Sequence, residues 1–196
     1  MTNKRKGFTL VELLIVIVVI GILSAMMMLS STEAVSSAKA NNVISNLRNL
    51  KTALISWYVD NIDRVQPNGT DKGHTKYKIT NVDGTGGQSL TEFVKTDDGN
   101  KELLRYLNNE NAINLKSDKS SPKNDGDYYI KDVNWERWYV WYQVGSDTRV
   151  KEKLASRAKS LGLVGVDKID TDLKDNSDNT YTNQKYEGMF VLNLGK

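Results

Sequence analysis

Apolar positions in this chain change their spacing several times, and the changes divide it into elements. From Phe8 to Leu29 the residues are predominantly apolar, with Glu12 as the single charge. At 1.5 Å of rise per residue, a helix of about 20 apolar residues crosses the ~30 Å hydrocarbon core of a bilayer, so this run is long enough to span a membrane. Ser30-Ser31-Thr32-Glu33 marks its polar exit. Beyond it, Ala40, Val43, Leu47, Leu50, Leu54, Trp57 and Tyr58 fall on one helical face, opposite Asn41, Ser45, Arg48, Asn49, Thr52, Ser56 and Asp63. The two stretches predict one continuous helix of roughly 55 residues, or ~80 Å, whose outer half lays its apolar stripe on a globular head.

Pro67-Asn68-Gly69 supplies the turn chemistry expected to end that helix. Up to about Asn134 the chain then reads as loop-rich, with a short strand at Tyr77 to Val82. Ser89-Leu90-Thr91-Glu92 has capping-box spacing and starts a brief helix through Lys95, and Glu102 to Leu107 reads as another helical turn or two. The period then shortens to two. Asp127 to Val133 and Arg137 to Val144 are strands, and the second is apolar on both faces, with Tyr139 and Trp141 opposite Trp138, Val140 and Tyr142; it belongs in the middle of a sheet. Thr148 to Leu161 returns to helical spacing, with Val150, Leu154, Ala158 and Leu161 inward and Gly162 as the stop. Asp167 to Gln184 reads as an acidic loop, and Gly188 to Leu194 as a last strand closing the sheet. The fold class is α+β: a long N-terminal helix on a small antiparallel sheet.

Composition adjusts this picture in two places. Mean hydropathy is −0.50 despite the apolar N-terminus, so the remainder is polar. The net charge of +3 comes from Lys4, Arg5 and Lys6, because without those three the 27 basic side chains become 24, against 24 acidic ones. Net basicity is therefore no argument for nucleic-acid binding, and no nucleic acid is expected as a partner. The chain has no cysteine, so its head is held by packing, hydrogen bonds or a metal rather than disulfides.

Glu12 is the most informative residue. A carboxylate in the first turns of a membrane helix costs about 2.5 to 3.5 kcal/mol, less near the interface, and such residues usually have a partner. An ordinary signal peptide fits it poorly, and Leu23-Ser24-Ala25 is a weak cleavage site. The basic patch Lys4-Arg5-Lys6 followed by Gly7-Phe8-Thr9-Leu10-Val11-Glu12 resembles the class III signal of type IV pilins and type II secretion pseudopilins. The resemblance implies a leader at 1–7, which a membrane prepilin peptidase removes by cutting between Gly7 and Phe8 on the cytoplasmic side, N-methylating the new amine of Phe8. It implies a membrane or filament-core helix at 8–30, an amphipathic helix at 31–63, and a head at 64–196. The head comprises a variable loop region at 64–126 and a sheet with its acidic loop at 127–196. Assembly into a homopolymer is expected to pair Glu12 of one subunit with the Phe8 amine of a neighbour. Gly21 matches a glycine common in this helix, whereas Leu29 stands where a proline is frequent. Many relatives close a C-terminal loop with a disulfide, which this chain cannot.

The same resemblance leaves two functions open. One is the subunit of a surface fibre for adhesion or motility, built on a pilus assembly platform. The alternative is a pseudopilin of a type II secretion system, whose filament stays in the periplasm and drives protein export. In both, the precursor sits in the bacterial cytoplasmic membrane, single-pass, with its N-terminus cytoplasmic. Asp167, Asp170, Asp172, Asp175 and Asp178 form the only acidic cluster that could suit calcium. They lack the glycine turn and closing glutamate of an EF-hand and read as a solvated loop, so no metal or cofactor is assigned. The aromatic run Trp135 to Tyr142 reads as core, Lys116 to Lys123 as too weak for a nucleic-acid patch, and His74 as an exposed loop residue. No nucleophile-base constellation stands out, and the chain does not read as an enzyme.

Overall fold

Both apolar periods of the N-terminal segment fuse into one helix, α1, running from Leu10 to Asp60 over 51 residues. At 1.5 Å per residue it is about 75 Å long. The structure is a computed structural model that describes residues 7–71, 73–107, 126–133, 136–166 and 186–195. Where the apolar run gives way to the amphipathic half, hydroxyl groups fold back onto the helix. Ser31 Oγ and Thr32 Oγ1 donate to the Met28 carbonyl at 3.0 and 2.9 Å, and Ser36 Oγ donates to that of Thr32 at 3.1 Å. These side chains stay satisfied without leaving the helix, which continues through Leu29. From Ala40 onward the inner face is buried through Val43, Ile44, Leu47, Leu50, Ala53, Leu54 and Trp57. Each large side chain of this kind contributes about 1.5–3 kcal/mol of burial.

The helix ends earlier than the turn chemistry predicts. Asn61 stops it: its backbone N–H donates to the carbonyls of Trp57 and Tyr58, and its Nδ2 donates to that of Trp57 at 2.9 Å. A 3-10 turn, Ile62–Arg64, redirects the chain into β1 (Val65–Asp71), which pairs antiparallel with β2 (His74–Ile79). Pro67-Asn68-Gly69 thus lies inside a hairpin strand, where the register slips between Pro67 and Thr70. An irregularity accepts a residue that cannot donate to the ladder, and Gly69 takes φ 82° there. The strand expected at Tyr77 to Val82 is displaced to begin at His74 and end at Ile79, with one further bridge from Ile79 to Gln88.

Ser89 caps α2 (Leu90–Lys95) as its spacing predicts, accepting from the Glu92 N–H at 3.2 Å. Thr96 ends α2 and caps α3 (Asp97–Leu104), so the helical turns expected from Glu102 are the tail of an element that starts five residues sooner. The main sheet is antiparallel in the order β3-β4-β6-β5, formed by β3 (Tyr128–Val133), β4 (Arg137–Gln143), β5 (Leu163–Val166) and β6 (Tyr186–Asn193). Strand β4 is internal, as its two apolar faces predict. Trp138 packs on α1, its ring 6.1 Å from Trp57 and 5.6 Å from Tyr58, while Tyr139 and Trp141 stack at 5.4 Å on the opposite face. Helix α4 (Thr148–Leu161) has Asp147 as its N-cap, buries Val150, Leu154 and Ala158, and stops at Gly162 with φ 64°. Strand β5 has no counterpart among the elements that the spacing predicts. The basic leader residues, Lys116 to Lys123, Trp135 and the five aspartates of the acidic loop lie outside the described residues.

Candidate functional site

The start of α1 is set by two side chains that act on each other. Thr9 is the N-cap, with extended backbone at φ −82° and ψ 150°, and Glu12 is the third helical residue. Thr9 Oγ1 accepts the Glu12 N–H at 3.3 Å, while Glu12 Oε2 accepts the Thr9 N–H at 2.9 Å and the Thr9 hydroxyl at 2.8 Å. This reciprocal capping box satisfies donors that helix geometry leaves unpaired. The first helical bond of the backbone runs from the Leu13 N–H to the Thr9 carbonyl at 3.3 Å. Gly7 and Phe8 therefore precede the helix; Phe8 is 82% exposed and Gly7 has open space around its Cα. Sequence reasoning identifies Gly7, Phe8 and Glu12 but misses Thr9, although Thr-x-x-Glu ahead of an apolar run is the available signal.

Behind this cap, the large apolar side chains from Leu10 to Met28 are 47 to 84% exposed, and none packs on the head. Their backbone groups are satisfied within the helix, the condition that a bilayer or an apolar bundle imposes on a spanning segment. The buried core of the head begins at Ala40, and the exposed half of the helix takes no part in it. In the single chain Glu12 is held only by Thr9, with Oε1 accepting no bond among the described residues. Phe8, four residues ahead of it, makes no hydrogen bond to Glu12 among the described residues.

Other candidates resolve as structure. His74 opens β2 with Nδ1 at 2.8 Å from Oε1 of the buried Glu136, so it fastens the hairpin to the main sheet and is only partly exposed. Trp138, Tyr139 and Trp141 are buried core, as the alternation implied. A cleft of about 420 Å³ between α1 and the start of α4 has Lys39 paired with Asp147 at 3.6 Å and the Tyr128 hydroxyl bonded to Asn46 at 3.0 Å. Among the described residues, no group of three or more His, Cys, Asp or Glu side chains is placed to hold a metal.

Comparison with known proteins bears on this N-terminus first. The family described as the prokaryotic N-terminal methylation motif matches residues 2–28. A fimbrial protein of Pseudomonas aeruginosa is 32% identical over 136 residues, covering 66% of this chain and 86% of the relative. Fimbrial protein Q of Moraxella bovis is 42% identical over 52 residues, or 26% of this chain and 33% of that protein. Fimbrial protein EcpB of Eikenella corrodens is 45% identical over 53 residues, 27% and 33% of the respective chains. No solved structure matches the chain.

Proposed function

Because the chain belongs to the type IV pilin family and is a filament subunit, we propose that it is made as a membrane precursor, cut between Gly7 and Phe8 by a prepilin peptidase, and assembled into a surface fibre for adhesion or motility. The observation that carries this reading is the juxtaposition at the N-terminus. An uncovered apolar helix begins two residues after a glycine-aromatic pair and bears one carboxylate, while the head is complete without it. Hydrolysis at Gly7 leaves a new amine on Phe8, which is methylated. In the filament that amine meets Glu12 of a neighbour, and each neutralises the other within the apolar bundle. Removing one partner of such a buried pair costs about 3 to 5 kcal/mol, so the pair selects correctly staggered subunits. The peptidase and an assembly platform in the cytoplasmic membrane are the implied partners.

Mass spectrometry of protein sheared from cells, compared with the membrane fraction, tests the reading. A sheared species beginning at methylated Phe8 supports the surface fibre. The same N-terminus confined to the envelope replaces it with the secretion pseudopilin, and an intact Met1 or a cut beyond Leu23 overturns processing at Gly7. Glu12→Gln tests the pairing separately: cutting at Gly7 persists, and filaments become scarce. Normal filament numbers from that variant would sink the charge-pair account.

A further inference from the structure

The geometry points to Thr9 as a positioning residue for processing: its capping box with Glu12 fixes where the helix begins and so keeps the Gly7–Phe8 bond outside the helix and open to hydrolysis. This rests on the reading that the chain is cut there. Hydrolysis adds one water across that amide: the C–N bond breaks, Gly7 retains the carboxylate and Phe8 departs with the amine. The group attacked is the Gly7 carbonyl. With Thr9 as N-cap, the first helical acceptor is the Thr9 carbonyl, and the Gly7 carbonyl lies two residues outside the ladder. A peptidase that binds its substrate as an extended strand needs that freedom of backbone.

The alternative start explains why a cap is required. Everything from Phe8 onward is compatible with an apolar helix, and glycine is itself a tolerated N-cap, so Gly7 is the next available start. A helix capped at Gly7 would direct the Val11 N–H to the Gly7 carbonyl, closing the scissile group into the first turn. Thr9 prevents this by engaging the Glu12 N–H with its own hydroxyl oxygen, while Glu12 Oε2 holds the Thr9 N–H. Glutamine at the third helical position can serve the same reciprocal role, so the cap does not need the charge of Glu12. The carboxylate thus has two separable tasks: its oxygen helps to set the helix start in the precursor, and its charge is left for assembly.

The test uses the full-length precursor in detergent micelles with a purified prepilin peptidase, following the cut by mass spectrometry. Thr9→Val, which keeps the shape but loses the acceptor, should lower kcat/KM about fivefold, the typical effect of a lost cap on the helix-start equilibrium. Thr9→Ser and Glu12→Gln should be cut at the wild-type rate. In Thr9→Val, the Cα chemical shifts of Phe8 and residue 9 should move toward helical values and the Val11 amide should exchange more slowly. An unchanged near-ultraviolet spectrum would show that the distant head is intact. Equal cutting of wild type and Thr9→Val would overturn the inference alone, as would slower cutting with an unmoved helix start, which would mean that the peptidase reads the hydroxyl directly. Failure of the wild-type chain to be cut at Gly7 would overturn the processing reading itself.

Discussion

Glu102→Ala probes how the long helix is locked to its head. A single oxygen, Glu102 Oε1, accepts the indole N–H of Trp57 at 2.9 Å and the Arg64 Nη1–H at 2.5 Å. Arg64 in turn donates Nε to the Thr80 carbonyl at 3.0 Å and Nη1 to Asn61 Oδ1 at 2.7 Å, and its guanidinium carbon lies 5.7 Å from the ring centroids of both Trp57 and Phe93. The carboxylate therefore joins α3 to the end of α1, to the cap that stops it and to the hairpin behind. Trp57 is fully buried, so deleting the acceptor strands its N–H at about 1–3 kcal/mol. The guanidinium loses its anion but keeps its other contacts and some solvent, with 15% of its side chain exposed, so its share is nearer 1 kcal/mol. The expected loss is about 2–4 kcal/mol for alanine, and about 1 kcal/mol for Glu102→Gln, which retains an acceptor. Urea unfolding of the full chain in mild detergent, followed by near-ultraviolet circular dichroism, reads both from the midpoints at constant slope. A loss below about 1 kcal/mol for alanine, or equal losses for the two variants, would refute the assignment of this oxygen as the shared acceptor.

Two further outcomes test the sheet. At Gly188, on β6 beside β4, an added Cβ would fall within the Trp141 ring, which is fully buried and has little room to move; Gly188→Ala should cost about 1–3 kcal/mol in the same assay, and wild-type stability would contradict the packing. Burial pushes the Tyr128 hydroxyl from an ordinary 10 up to about 12, with the Asn46 amide opposing and Tyr142 adding to the rise. The unfolded chain therefore releases this proton near pH 10 while the folded chain retains it. Stability from this group is complete below pH 10 and is lost as pH rises toward 12, by roughly 2–3 kcal/mol in all. Urea midpoints at pH 9, 10 and 11 should fall more steeply for wild type than for Tyr128→Phe, and parallel declines would show that another group is responsible.

Elements whose side chains alternate strongly between water and core are legible in the sequence alone. The stripe from Ala40 to Trp57, the two-faced β4 and the inward positions Val150, Leu154 and Ala158 all lie where their spacing places them. Of the hairpin β1–β2 only the end of the second strand, Tyr77 to Ile79, is legible; residues such as Gln66, Thr70 and Lys76 do not alternate, and the hairpin is held by backbone pairing and by anchors such as His74 to Glu136. The end of α1 is misplaced by spacing because Pro67-Asn68-Gly69 is a strong local signal, whereas Asn61 stops the helix only through contacts with Trp57, Tyr58 and Arg64. At the N-terminus the charge of Glu12 is a louder signal than its distance from Thr9. The charge calls for a partner, and the three-residue spacing reveals one in the same subunit.

That partner bears on how assembly can be directional. On the proposed reading, the apolar surface from Leu10 to Met28 leaves lipid for contact with other helices. Lipid tails are about as apolar as these side chains, so the transfer itself supplies little drive, and packing and polar contacts must set the geometry. Almost every side chain in the stretch is indifferent to that exchange; Glu12 is not. In the precursor its Oε2 is occupied by Thr9 and Oε1 is unused among the described residues, so a cation can be added without first breaking the cap. The Phe8 amine that supplies this cation exists only after cleavage. Uncut subunits would then lack the one charge that rewards correct stagger, and cleavage would gate assembly by creating the partner instead of by removing an obstruction.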